Sequence, residues 1–93
     1  IEGGIGADRV YGDAGNDLLR GGDDADLLEG GDGNDKMYGD AGADTLQGGD
    51  NTDQLWGGDG DDLLGGEAGD DVVYGEGGAA RAFRDLGNDT VVG

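Results

Sequence analysis

A nine-residue period runs through the chain without an insertion or deletion, and it limits the possible folds more than any other feature. The unit reads G-G-x-G-x-D-x-U-x, with U a large aliphatic residue, and is cleanest from Gly57 to Gly65. Counting in nines from Gly3 reaches Gly12, Gly21, Gly30, Gly39, Gly48, Gly57, Gly66 and Gly75, and a tenth unit opens in register at Arg84. The sixth position holds Asp8, Asp17, Asp26, Asp35, Asp44, Asp53, Asp62, Asp71, Ala80 and Asp89. The eighth holds Val10, Leu19, Leu28, Met37, Leu46, Leu55, Leu64, Val73, Ala82 and Val91.

Glycine at positions one, two and four lets the backbone take positive φ, so six residues can wrap tightly and aim carbonyls inward. Such a turn is an oxygen cage. The remaining x-U-x alternates as a strand does, with U on one face and its neighbours on the other. A strand this short is unstable alone, but stacked units pair equivalent strands and line the U residues into one core.

That core is thin for a chain of 93 residues with 25 glycines, so burial alone does not balance the conformational entropy lost on folding. Twenty-three acids against five bases leave a formal charge of −18, which resists compaction unless cations neutralise it. The same charge argues against nucleic acid or an anionic membrane as a partner. The chain contains no Cys, His, Ser or Pro. That leaves no thiol or imidazole metal site and no Ser, Cys or His catalytic constellation. Carboxylate and carbonyl oxygens suit a hard cation such as Ca²⁺. No apolar run is long enough to span a membrane as a helix.

The repeated unit resembles the glycine- and aspartate-rich RTX nonapeptide block of secreted bacterial proteins, and the resemblance covers residues 3–92. It implies an all-β, right-handed parallel β-roll, a β-helix solenoid of two short-stranded parallel sheets. Two units would form each 18-residue coil, about five coils in all, with odd units in one sheet and even units in the other. It further implies a calcium ion between turns n and n+2, held by position-six carboxylates and main-chain carbonyls. The implied ligands are Asp8, Asp17, Asp26, Asp35, Asp44, Asp53, Asp62, Asp71 and Asp89, with up to about eight ions from the n/n+2 pairs of ten units. The family context implies an extracellular or bacterial cell-surface module exported by type I secretion. Residues 1–93 then form a single block, a fragment of a larger secreted protein with a flanking capping segment.

Departures from the consensus are informative. Position two is acidic at Asp13, Asp40, Glu67, Glu76 and Asp85, and position four carries Asp24 and Asn51. Asp and Asn enter the left-handed region most readily among non-glycine residues, so these turns keep their shape. Position three supplies Asp23, Asp32, Asp50 and Asp59, either as extra ligands or as solvated turn acids. Tyr38, Trp56 and Tyr74 recur 18 residues apart at position nine and predict a stacked ladder on one sheet, with a sugar-binding strip as the alternative. Leu18, Leu27, Leu63 and Val72 at position seven place apolar area on the outward face.

The ninth unit, residues 75–83, is degenerate, with Ala80 for the aspartate and Ala82 for the aliphatic residue. Residues 79–86 read as a helical cap or a worn coil, and the preserved register favours the coil. The 7/9 pair is expected to bind calcium worst, with Arg81 and Arg84 as electrostatic substitutes.

An EF-hand fails because its twelve-residue loop needs flanking amphipathic helices, whereas this chain has period nine. Collagen requires glycine every third residue and proline. A disordered acidic spacer has no reason to keep Asp at position six in nine units of ten. Three functions are compatible with the residues: a calcium-driven folding module, a polysaccharide-binding or adhesive module, and a non-catalytic part of a secreted protease or lipase. The segment itself lacks H-E-x-x-H and G-x-S-x-G.

Overall fold

The computed structural model describes residues 1–83, 87 and 89–92. Eleven strands occur among them: β1 (Glu2–Gly4), β2 (Arg9–Tyr11), β3 (Leu18–Gly22), β4 (Leu27–Gly31), β5 (Lys36–Asp40), β6 (Thr45–Gly49), β7 (Gln54–Trp56), β8 (Leu63–Glu67), β9 (Val72–Tyr74), β10 (Arg81–Phe83) and β11 (Thr90–Val92). Every pairing is parallel, and each strand pairs with the strand two units away. One sheet runs β1-β3-β5-β7-β9-β11 and the other β10-β8-β6-β4-β2. Even units thus build the first sheet and odd units the second, as a coil of two nonapeptides requires. Leu28 faces Leu46 and Leu46 faces Leu64, a register of one coil at each step. The result is an all-β, two-sheet parallel solenoid of about five turns.

Position eight points inward from both sheets. Leu19, Met37, Leu55 and Val73 of the six-stranded sheet meet Val10, Leu28, Leu46 and Leu64 of the other in one cluster, with Ala82 and Val91 packed against it. A parallel sheet buries at least one whole face, and here that face is a single line of aliphatic side chains per sheet.

Two expectations need correction. The x-U-x strand holds at β2, β7, β9, β10 and β11, but five other strands are five residues long and run through positions one and two of the next unit. Their burial alternates, and position one lies on the same inner face as U: Leu28 and Gly30 are both buried, as are Leu46 and Gly48. The position-one glycine extends the pleat inward.

Glycine's role at position one is also different from that expected. Positive φ occurs at positions two and four, as at Gly31 (95°), Gly33 (110°), Gly58 (87°) and Gly60 (110°), but not at the position-one glycines Gly21, Gly30, Gly39 or Gly48. Space is what position one demands: a Cβ at Gly30 would lie 2.5 Å from both Oδ2 of Asp35 and the carbonyl oxygen of Gly48. The described non-glycine residues at positions two and four do adopt the left-handed region, with φ of 67° at Asp13, 71° at Asp40, 77° at Asp24 and 80° at Asn51.

The worn coil is present where it is described: β10 pairs with β8 through Arg81↔Leu63, Ala82↔Leu64 and Phe83↔Gly65. Arg84, Asp85, Leu86 and Asn88 lie outside the described residues. The aromatic ladder forms as expected, with ring centroids 4.5 Å apart for Tyr38 and Trp56 and 5.3 Å for Trp56 and Tyr74, and planes within 9° of parallel. The Arg20 guanidinium covers the other end of Tyr38, 5.2 Å from its centroid. Outward position seven is mixed: Leu18 and Leu63 are exposed, while Leu27 and Val72 are half-buried.

Candidate metal centre

Stacking at an 18-residue translation places each position-six aspartate directly over its equivalent. Asp26, Asp35, Asp44, Asp53, Asp62 and Asp71 are buried, Asp53 completely; Asp8, Asp17 and Asp89, near the ends, are half-buried. A buried carboxylate needs donors or a cation.

From Asp26 onward, one oxygen of each carboxylate finds a donor. Oδ1 of Asp26, Asp35, Asp44, Asp53, Asp62, Asp71 and Asp89 accepts the backbone N–H of the position-six residue one coil earlier, at 2.7 to 2.9 Å. This ladder ties coil to coil inside the turns. It was not foreseen from the sequence, although a fixed 18-residue repeat of a short acceptor beside an unpaired turn N–H is the signal that could have revealed it.

The other oxygen has no donor. Oδ2 is buried and accepts no hydrogen bond at Asp8, Asp17, Asp26, Asp35, Asp44, Asp53, Asp62 and Asp89. From unit one to unit eight the Oδ2 atom borders the slot left by the position-one glycine of its own unit, and from unit one to unit seven the position-one carbonyl of unit n+2 borders the same slot. At Gly39, for example, a Cβ would sit 2.6 Å from both Asp44 Oδ2 and the Gly57 carbonyl oxygen. Two acceptors therefore face one small space. The position-two carbonyls of Gly4, Asp13, Gly22, Gly31, Asp40 and Gly49 accept backbone N–H groups from unit n+2. So do the position-six carbonyls of Asp8, Asp17, Asp26, Asp35, Asp44, Asp53, Asp62 and Asp71.

The electrostatics agree with an acceptor-rich site. Burial, the largest cause, raises the carboxyl pKa of Asp26, Asp35 and Asp62, and pushes Asp44 and Asp53 up to about 7. The backbone bonds from Asp26 and Asp35 oppose the rise at Asp44 and Asp53, and neighbouring position-six carboxylates add to it. Among the described residues no three acidic side chains gather into one cluster. The donor set is instead one carboxylate per turn combined with main-chain oxygens, which fits a hard cation of flexible coordination such as Ca²⁺. The position-three acids Asp23, Asp32, Asp50 and Asp59 are exposed, and Asp23 and Asp59 lie near enough to add to the upward shifts of Asp26 and Asp62.

A parallel solenoid whose turns present repeated, unsatisfied carboxylate oxygens beside inward carbonyls is a calcium-binding repeat protein. The chain matches the model of the RTX calcium-binding nonapeptide repeat in four overlapping copies, over residues 2–37, 29–64, 47–81 and 57–91, and it belongs to that family. Comparison with curated proteins gives no match. Among the described residues no helix is long and apolar enough to cross a membrane.

Proposed function

We propose that this chain is a calcium-driven folding module of an extracellular protein, in which each ion lies between turns n and n+2. The position-six carboxylates of Asp8, Asp17, Asp26, Asp35, Asp44, Asp53, Asp62, Asp71 and Asp89 serve as ligands together with main-chain carbonyls. The observation that carries this reading is the row of buried Oδ2 atoms without donors, those from Asp8 to Asp62 each facing a slot too small for a Cβ. Without a cation these oxygens repel one another and lose hydration. With one, the same oxygens close a coordination shell and join successive coils.

The exposed position-three carboxylates raise the local cation concentration at the turn surface and stand outside the cage. Millimolar calcium outside the cell and its scarcity in the cytosol would make folding follow export, consistent with type I secretion; extracellular modules bind calcium at about 10⁻⁴ to 10⁻³ M. The aromatic strip supports folding rather than sugar recognition, because Tyr38 and Tyr74 cover the two faces of Trp56. Ring faces, not edges, are what a sugar stacks on.

The test is a calcium titration followed by far-UV circular dichroism and Trp56 fluorescence, with magnesium as control. A cooperative gain of β-structure in calcium alone is expected at a sub-millimolar to millimolar midpoint. An equal response to magnesium, or none to calcium up to about 10 mM, would refute the reading.

A further inference from the structure

The position-six ladder has one break, and the break is confined to one edge of the solenoid. Even units contribute Asp17, Asp35, Asp53, Asp71 and Asp89, and each carboxylate from Asp35 to Asp89 accepts the N–H of the aspartate before it. Odd units contribute Asp8, Asp26, Asp44 and Asp62, joined in the same way, and then Ala80. Ala80 offers no Oδ1 for the Asp62 N–H and no Oδ2 for an ion. The coil nevertheless continues in register: the Arg81 N–H donates to the Asp62 carbonyl at 2.8 Å, and β10 pairs with β8.

The connection between units seven and nine has moved outward. The Ala79 N–H donates to Oδ1 of Asp61 at 3.1 Å, one position before the broken rung and on the exposed side of the turn. Among the described residues this is the one position-five bond of its kind on the odd edge; the others, Asn34 N–H to Asn16 and Thr52 N–H to Asn34, lie on the even edge. A carboxylate-to-amide bond there holds the last odd coil without a metal.

We infer that the two edges hold unequal numbers of ions: four along the even edge, between Asp17 and Asp89, and three along the odd edge, ending at Asp62. Ten units make eight n/n+2 pairs, and only seven have a carboxylate from both turns. Slot geometry at the seventh unit supports a half-built site, since Asp62 Oδ2 and the Gly75 carbonyl still border the Gly57 slot at 2.6 and 3.0 Å from an added Cβ, while the second carboxylate is missing. One carboxylate cannot neutralise a divalent ion, and ligand charge count is what sets calcium affinity in oxygen cages. Among the described residues the last odd coil is therefore held by strand pairing, the Asp61 bond and the packing of Ala80 and Ala82 on the core, with no ion, and it is the coil that opens first. This inference rests on the calcium reading above.

Its test counts ions on the whole chain. Equilibrium dialysis against calcium at several times the folding midpoint, with magnesium present to mask nonspecific surface binding, should give seven ions per chain by elemental analysis. Ala80→Asp restores the consensus acid and should give eight, with a higher thermal midpoint in calcium. Asp89→Ala, at the far end of the even edge, should give six and keeps the count informative if Ala80→Asp fails to fold. Eight ions in the unaltered chain, or no change on Ala80→Asp in a folded variant, would overturn the unequal edges while leaving calcium binding intact. No bound calcium in any of the three would instead overturn the calcium reading itself.

Discussion

Asp53 separates the two jobs of the position-six carboxylate, because its two oxygens do different things. Oδ1 accepts the Asp35 N–H at 2.8 Å. Oδ2 faces the Gly48 slot, where an added Cβ would lie 2.5 Å from it and 2.8 Å from the Gly66 carbonyl oxygen. Asp53→Asn keeps the first function and reverses the second, since a carboxamide NH₂ at the Oδ2 position donates to the facing carbonyl. Without calcium this exchanges an acceptor–acceptor contact for a hydrogen bond of about 0.5–1.5 kcal/mol and removes a buried charge. With calcium it removes a charged ligand from the ion before and the ion after, roughly 3–6 kcal/mol at about 1.5–3 kcal/mol per charge-assisted contact. Spread over a cooperative transition of about seven ions, that loss raises the calcium midpoint roughly two- to fourfold. Asp53→Ala raises it too, and also leaves the Asp35 N–H buried without its acceptor, a further ~1–3 kcal/mol. The two variants therefore diverge in the absence of metal. In chelator at pH 8, osmolyte-induced folding followed by circular dichroism should need less trimethylamine N-oxide for Asp53→Asn than for the unaltered chain, and more for Asp53→Ala. An unchanged calcium midpoint in Asp53→Asn, or equal loss of metal-free stability in both variants, would refute the division of labour between the two oxygens.

Leu46→Ala empties a fully buried position between the sheets and should cost about 2–5 kcal/mol, read as a raised calcium midpoint and a lower thermal midpoint in saturating calcium. Trp56→Ala removes two stacked contacts and should cost about 1–3 kcal/mol in the same assays, while the number of bound ions stays constant. The buried carboxyls give the metal-free fold an inverted pH dependence. Asp44 and Asp53 are raised from 3.8 to about 7, so between these values the folded state holds more protons than the unfolded state, and the stability they contribute is present below about pH 4 and lost as pH rises through 7. Calcium must displace those protons, so its midpoint should rise as pH falls from 8 to 6; a midpoint independent of pH over that range would contradict the burial of these groups.

Much of the solenoid is legible because the period makes each position report on itself ten times. Position eight announces the core, and every described residue there is buried or packs on the cluster. Tyr38, Trp56 and Tyr74 at an 18-residue spacing announce the ladder. What the pattern conceals is which physical demand a repeated residue answers. Glycine at positions one, two and four looks alike in sequence, yet positions two and four need a left-handed backbone and position one needs an empty Cβ volume. Side-chain tolerance shows the difference: acids replace glycine at position two, at Asp13, Asp40, Glu67, Glu76 and Asp85, and Asp24 and Asn51 replace it at position four, whereas units one to nine keep glycine at position one without exception. A strained φ can be borne at a modest cost, but a backbone carbonyl and a carboxylate at 2.5 Å cannot move aside together.

The same reasoning explains why aspartate, and not glutamate or asparagine, occupies position six in nine units. The side chain must span two directions at once, with Oδ1 reaching one coil back to an amide and Oδ2 remaining over the glycine slot of its own turn. Glutamate's extra methylene would carry the carboxylate past an amide that sits 2.8 Å from Oδ1 of Asp44, and the slot has no spare volume to receive it. Asparagine would satisfy the amide but present a donor where a cation is needed. Only a short, charged, two-acceptor group meets both conditions, and in the proposed module the charge that makes the metal-free turns repel is the charge that would bind the coils together once calcium arrives.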